Sequence, residues 1–157
     1  MFVDIAIDLS PVMELVIQIT IIAFMALEFS NVIALYFKPD FTYANAVGMF
    51  NAFEKTKEDQ GTKDFVKYLI NWVAGTKIIF IMLLVVILLF GNDITLLYSL
   101  AALVASIATF YIGLLPLIRK MDKRDEITPK NYSIVLAIMI STFIVAFLVV
   151  FLLSIFL

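Results

Sequence analysis

The chain has 157 residues, of which 64% are hydrophobic, carries a formal net charge of −2 and contains no Cys and no His. Its mean hydropathy is +1.09, whereas soluble domains are about 45–50% apolar, so a water-soluble fold of this size is excluded because small domains cannot hide that much apolar surface. The missing Cys and His exclude disulfides, thiolate nucleophiles, iron–sulfur clusters, His-ligated haem and most zinc sites.

Met1–Ser10 holds Asp4 and Asp8 but no Lys or Arg. A cleavable signal needs a basic segment before its apolar run, so the first apolar run is expected to remain in the protein.

Four apolar runs approach the ~20 residues that cross ~30 Å of hydrocarbon. The first covers 11–37, where Ser10-Pro11 reads as an N-cap followed by Pro at the first helical position and Lys38-Pro39 as the stop. Residues 40–63 are more polar. Ala46, Val47, Met49, Phe50 and Phe53 are spaced to share one helical face, so Tyr43–Glu58 is expected to form a short amphipathic helix on the membrane surface or against another protein, with Gln60-Gly61 breaking it.

The second span is read as 65–90 and the third as 94–118. Gly91-Asn92-Asp93 forms the turn between them, and Asp93 caps the third helix. So short a link makes these two an antiparallel hairpin. The fourth span, 130–157, follows a second cap-then-Pro signal at Thr128-Pro129. Long runs without alternation of polar and apolar residues argue against barrel strands. The expected fold is therefore a single all-α bundle of four transmembrane helices.

Lys38, Lys55, Lys57, Lys63 and Lys67 flank the first connection, and Arg119, Lys120, Lys123, Arg124 and Lys130 flank the third. The N-terminal tail, the 91–93 turn and the C-terminus carry none. The positive-inside rule then places both basic connections in the cytoplasm and both termini outside, in a multi-pass protein of the cell membrane.

Small residues at four-residue intervals allow helices to approach closely in lipid. Ala26, Ser30 and Ala34 form one row, Ala101, Ala105, Thr109 and Gly113 a second, and Ser133, Ala137 and Ser141 a third. Each reads as a helix–helix seam, facing either this chain or another subunit.

Ionisable residues within a span are functional candidates. Glu28 in the first span and Lys77 in the second lie at a similar depth, roughly 13–18 Å from the basic ends at ~1.5 Å per residue. They are expected to form an ion pair or to share a proton. The competing readings are a purely structural pair, and a Lys77 that snorkels outward while Glu28 faces water or a partner. Glu14, Gln18 and Asn31 fall in the same arc of the first helix as Glu28. That polar stripe lines a water path or, as the favoured reading, meets the bundle interior or a partner. Asn71 and Trp72 read as an interfacial anchor.

No phosphate-binding Gly-rich loop, nucleophile–base set or metal motif is present in the sequence. The expected function is that of a non-catalytic subunit or accessory protein of a larger membrane assembly, without a cofactor. The alternative is a small oligomeric proton or ion transporter that uses Glu28 and Lys77. Expected partners are the lipid bilayer and other membrane subunits or further copies of the chain, and no nucleic acid.

Overall fold

A computed structural model describes residues 8–42 and 47–156. The protein is all-α, with helices α1 (Pro11–Phe37), α2 (Asn51–Lys55), α3 (Gln60–Phe90), α4 (Asp93–Ile112), α5 (Leu114–Lys123) and α6 (Tyr132–Phe156). Four rods are long and apolar enough to cross a membrane: α1, α3, the nearly continuous α4–α5, and α6. Helix is the form in which an apolar span satisfies every backbone polar group by itself.

The helix ends follow local chemistry, with three departures from the expected caps. Ser10 Oγ accepts from the Met13 N–H at 3.4 Å, with Pro11 in the first turn, as the sequence suggests. Gln60-Gly61 does not break a helix but begins α3, because Asp59 caps it. The Thr62 N–H and hydroxyl both donate to Asp59 Oδ2 at 2.7 Å. At the next turn the cap is Asn92 rather than Asp93, with Asn92 Oδ1 accepting from the Thr95 N–H at 3.0 Å. Asp93 instead accepts the Leu9 N–H at 3.0 Å and ties the entry of α1 to the start of α4.

Thr128-Pro129 caps nothing, and α6 begins only at Tyr132. The role passes to Asp122 of α5, whose carboxylate accepts the Asn131 N–H at 3.0 Å, the Ser133 N–H at 3.1 Å and the Ser133 hydroxyl at 2.6 Å. The third rod is interrupted at Gly113. Pro116 has no N–H for the Ile112 carbonyl, and its ring crowds that carbonyl, so the helix breaks one turn before it.

The principal packing pairs are α1 with α3 and α4 with α6. Consecutive helices α3 and α4 are joined by a tight turn and meet in one core, with Leu84 of α3 in the same cluster as Leu96, Leu97 and Leu100 of α4, but they pack less extensively than either principal pair. In the half nearer the termini, all four rods share one core that includes Ile17, Ile21, Leu84, Leu100 and Phe147. In the half nearer the basic connections, this core divides in two. Val32, Leu35, Ile70 and Ala74 join α1 to α3, while Met49, Ile118, Ile127 and Leu136 form a separate cluster around α5 and α6.

The two basic connections bridge this division. A short helix does lie between the first two spans, but it is confined to Asn51–Lys55 between 3-10 turns at Val47–Met49 and Thr56–Glu58. Tyr43 and Ala46 lie outside the described residues. Phe50 is extended and pairs with Ile127 in an isolated antiparallel bridge. The Asn51 N–H donates to the Glu126 carbonyl and the Thr128 N–H to the Met49 carbonyl, both at 2.9 Å. Asn51 Nδ2 donates to the Asp125 carbonyl at 2.8 Å.

The apolar residues of this connection therefore do not present one face to the membrane. Val47 and Phe53 pack on the α1–α3 cluster, and Met49 and Phe50 on the α5–α6 cluster. Contacts with two separate clusters exceed what a single helical face can make, so the backbone bends. Gly48 makes the bend tight: a Cβ there would stand 2.0 Å from the Asp40 carbonyl oxygen.

Gly48→Ala is expected to lower stability by about 1–3 kcal/mol through overpacking and to expose 38–59 to protease, read by thermal unfolding and limited proteolysis in detergent. The paired donors from Thr62 hold the Asp59 carboxyl below its ordinary range. A depressed folded value means the cap's contribution is complete above the unfolded carboxylate value and vanishes only as pH falls through the depressed one. Amide exchange at Thr62 is expected to stay slow in mild acid, whereas Asp59→Ala makes it fast throughout.

Candidate functional site

Glu28 and Lys77 meet. Lys77 Nζ donates to Glu28 Oε2 across the α1–α3 interface, and the Lys77 and Glu28 side chains are 27% and 24% exposed respectively. Lys77 therefore does not snorkel away to the basic end. Both charges sit on apolar helices, where either alone would face a large desolvation cost; contact between them offsets part of it.

Of the other polar residues of α1, Asn31 adjoins this site and Glu14 and Gln18 do not. Gln18 Nε2 donates to Glu14 Oε1 at 2.9 Å, closing a local pair one turn apart near the entry of the helix. Asn31 is 8% exposed and lies one turn beyond Glu28. The same arc of α1 carries Ile17, within the turn from Glu14 to Gln18, and Ile21 beyond it, both at 0% exposure, with Phe24 and Met25 packed beside them before Glu28 is reached. The stripe is thus two separate polar patches with an apolar plug between them.

Beside the ion pair, α1 and α6 part to form a groove of about 390 Å³. Glu28 and Asn31 lie on its α1 wall, and Met139 and Ile140 on its α6 wall. Its end towards the basic connections carries Thr42, Pro129 and Tyr132. Its deep end is closed by Phe24, which meets Phe143 and Phe147 edge to face with ring centroids 5.4 and 5.3 Å apart.

A second cleft, of about 440 Å³, lies between the end of α5 and the start of α6 and contains Arg119, Lys123 and Lys130. Its charge is largely balanced within the chain. Asp122 faces it, and Lys130 Nζ contacts Asp125 Oδ1 at 2.8 Å. That hydrogen bond, then the charge of Asp125, holds the Lys130 ammonium above its ordinary range.

The small-residue rows separate into two kinds. Ser133 is buried and Ala137 half-buried, and the α6 row meets α4 through Tyr111. The Tyr111 hydroxyl donates to the Ala137 carbonyl at 3.1 Å and lies 2.5 Å from Ser141 Oγ. The other rows turn outward. Ala26 and Ser30 of α1 are exposed, with Ala34 partly covered, and Ala105, Thr109 and Gly113 of the α4 rod are exposed, with Ala101 partly covered. They are not seams of this chain.

Ala102 and Ser106 are also exposed on that side and extend the α4 row into a broad face of small side chains. Reading at four-residue intervals alone misses them; an arc drawn at 3.6 residues per turn includes them. The groove residues Thr42 and Pro129 leave no comparable signal, because they come from connections whose path local sequence does not specify, and Tyr132 opens α6 just after the second of these. Trp72 is 64% exposed and stacks on Tyr68 with centroids 6.5 Å apart, on the outward side of α3.

Among the described residues, no cluster of three or more carboxylates stands where it could hold a metal ion. Compared with protein-family models, curated proteins and solved structures, the chain matches none.

The ion pair is tested by a double-mutant cycle. Glu28→Leu and Lys77→Leu are each expected to destabilise the protein by leaving the other charge unpaired. The double variant should recover much of the loss, with a coupling of about 0.5–3 kcal/mol. Thermal unfolding in one detergent measures all four proteins, and simple additivity would rule out an energetically coupled pair.

Proposed function

We propose that this protein is a non-catalytic accessory subunit of a larger membrane assembly. The observation that carries this reading is the outward face of α4 formed by Ala102, Ala105, Ser106, Thr109 and Gly113. A face that meets only lipid gains nothing from small side chains, and the outward face of α3 is by contrast large and apolar, as at Ile79, Leu83 and Val86. Small residues let another helix approach closely enough to gain dispersion contacts and weak hydrogen bonds along its length. With no His and no Cys in the sequence, the commonest general base and the thiolate nucleophile are both missing, which favours partner binding over chemistry.

In this reading the basic connections face the cytoplasm, both termini lie on the other side of the cell membrane, and the α4 face meets a helix of another subunit. The positive-inside distribution supports this orientation.

A second reading is proton or ion transfer in an oligomer, favoured by one observation: the Glu28 carboxylate lies at the wall of a groove as well as against Lys77. The apolar plug at Ile17, Ile21, Phe24 and Met25 weighs against a continuous route along α1.

Gentle extraction of a tagged chain from its native membrane, followed by mass analysis, tests the first reading. Stoichiometric recovery with other subunits is expected. Ala105→Leu should abolish that recovery while leaving the thermal unfolding midpoint within about 2–4 °C of the parent. Recovery of the chain by itself would overturn the accessory role. A Glu28-dependent flux in vesicles, lost in Glu28→Gln with folding intact, would favour transport instead.

A further inference from the structure

We propose that the groove between α1 and α6 is a binding site for one hydrocarbon chain of a membrane lipid from the leaflet nearest the basic connections. Leu27, Val135 and Met139 line the groove and are 54%, 60% and 43% exposed, whereas Leu136 beneath them is 2% exposed. The mouth therefore faces sideways, between two rods that cross the membrane, into hydrocarbon. An apolar space open to hydrocarbon does not stay empty, because its lining would forgo dispersion contacts. Water is a poor filler of a space whose lining is mainly apolar.

Length and polarity identify the occupant. Along α6 the lining runs from Tyr132 to Phe143, about 16 Å at 1.5 Å per residue. That is about half the ~30 Å hydrocarbon thickness, the reach of a chain from one leaflet. The Phe24–Phe143–Phe147 cluster stops the groove there. A partner transmembrane helix needs a seam that continues across the bilayer, and this groove does not.

Polar side chains at Thr42 and Tyr132 sit at the opposite end, at the level of the lipid's ester and headgroup region. Glu28, midway along, presents a carboxylate already neutralised by Lys77, so the chain passes an ion pair rather than a bare charge. The volume of about 390 Å³ falls within the ~300–1,000 Å³ of pockets that hold small molecules.

The test reconstitutes the full chain in vesicles of phosphatidylcholine and phosphatidylglycerol, extracts it in mild detergent and measures retained phospholipid by native mass spectrometry. One lipid per chain is expected to survive extraction. Met139→Trp, which fills the mouth, should cut that occupancy to about one tenth or less without lowering the unfolding temperature. Leu152→Trp, exposed near the far end of α6, should leave it unchanged. If Met139→Trp fails to fold, Val135→Phe narrows the same mouth and is read the same way. A parent protein that retains no lipid, equal retention in the mouth variant, or a co-purified polypeptide in place of lipid would each overturn the proposal.

Discussion

The stitching of Met49–Asn51 to Asp125–Thr128 is the contact on which the rest of the architecture depends. Four rods with apolar surfaces on nearly all sides have no hydrophobic reason to stay together in lipid, because lipid tails are as apolar as Leu and Phe. What holds them is packing fit and the pairing of polar groups. Near the termini, the shared core and the Leu9–Asp93 hydrogen bond do this. Near the basic connections the core divides, and there the backbone bridge at Phe50 and Ile127 joins the α1–α3 pair to the α5–α6 side. Because the rods are tied at both ends, α1 and α6 can part between them without coming apart, and the groove is the consequence.

The spans were legible in the sequence because hydrocarbon imposes a length and forbids unsatisfied backbone polarity. That constraint is local to each run, so α1 ends where Ser10, Pro11, Lys38 and Pro39 say it should. The common end of the two basic connections was also legible, and the structure brings these connections into direct contact. Caps were less so. Asp122 lies nine residues before Asn131 and eleven before Ser133, and it competes successfully with the adjacent Thr128. A cap supplied across a loop has no fixed spacing and so no local signature.

The connection between the first two spans shows a different limit. Its helical periodicity is real, but a surface helix needs one apolar neighbour, and Val47 through Phe53 have two. Tertiary demand overrides the local period, with Gly48 permitting the backbone to comply. The small-residue rows fail in the same way. Their spacing was readable but their direction was not, since which face of a helix points inward depends on partners distant in sequence. Glu28 and Lys77 were easier, because two isolated charges at equal depth on consecutive apolar helices have little choice but each other.

The position of that ion pair bears on how the groove and the outward face of α4 divide the surface between them. The pair fixes the register of α1 against α3, and so fixes which side of α1 looks into the groove. Ile107, the α4 residue that reaches the groove, lies roughly 150° around the helix from the centre of the small-residue face at ~100° per residue. A lipid chain in the groove and a helix on α4 therefore approach from opposite sides and need not compete. The same geometry weighs against movement of an ion along α1. Passage beyond Glu28 would require Phe24 to leave the aromatic cluster that closes the groove and Ile17 and Ile21 to leave the one core shared by all four rods. The pair can be structural at little cost to the fold; as a relay it would need the part of the fold most tightly packed to open.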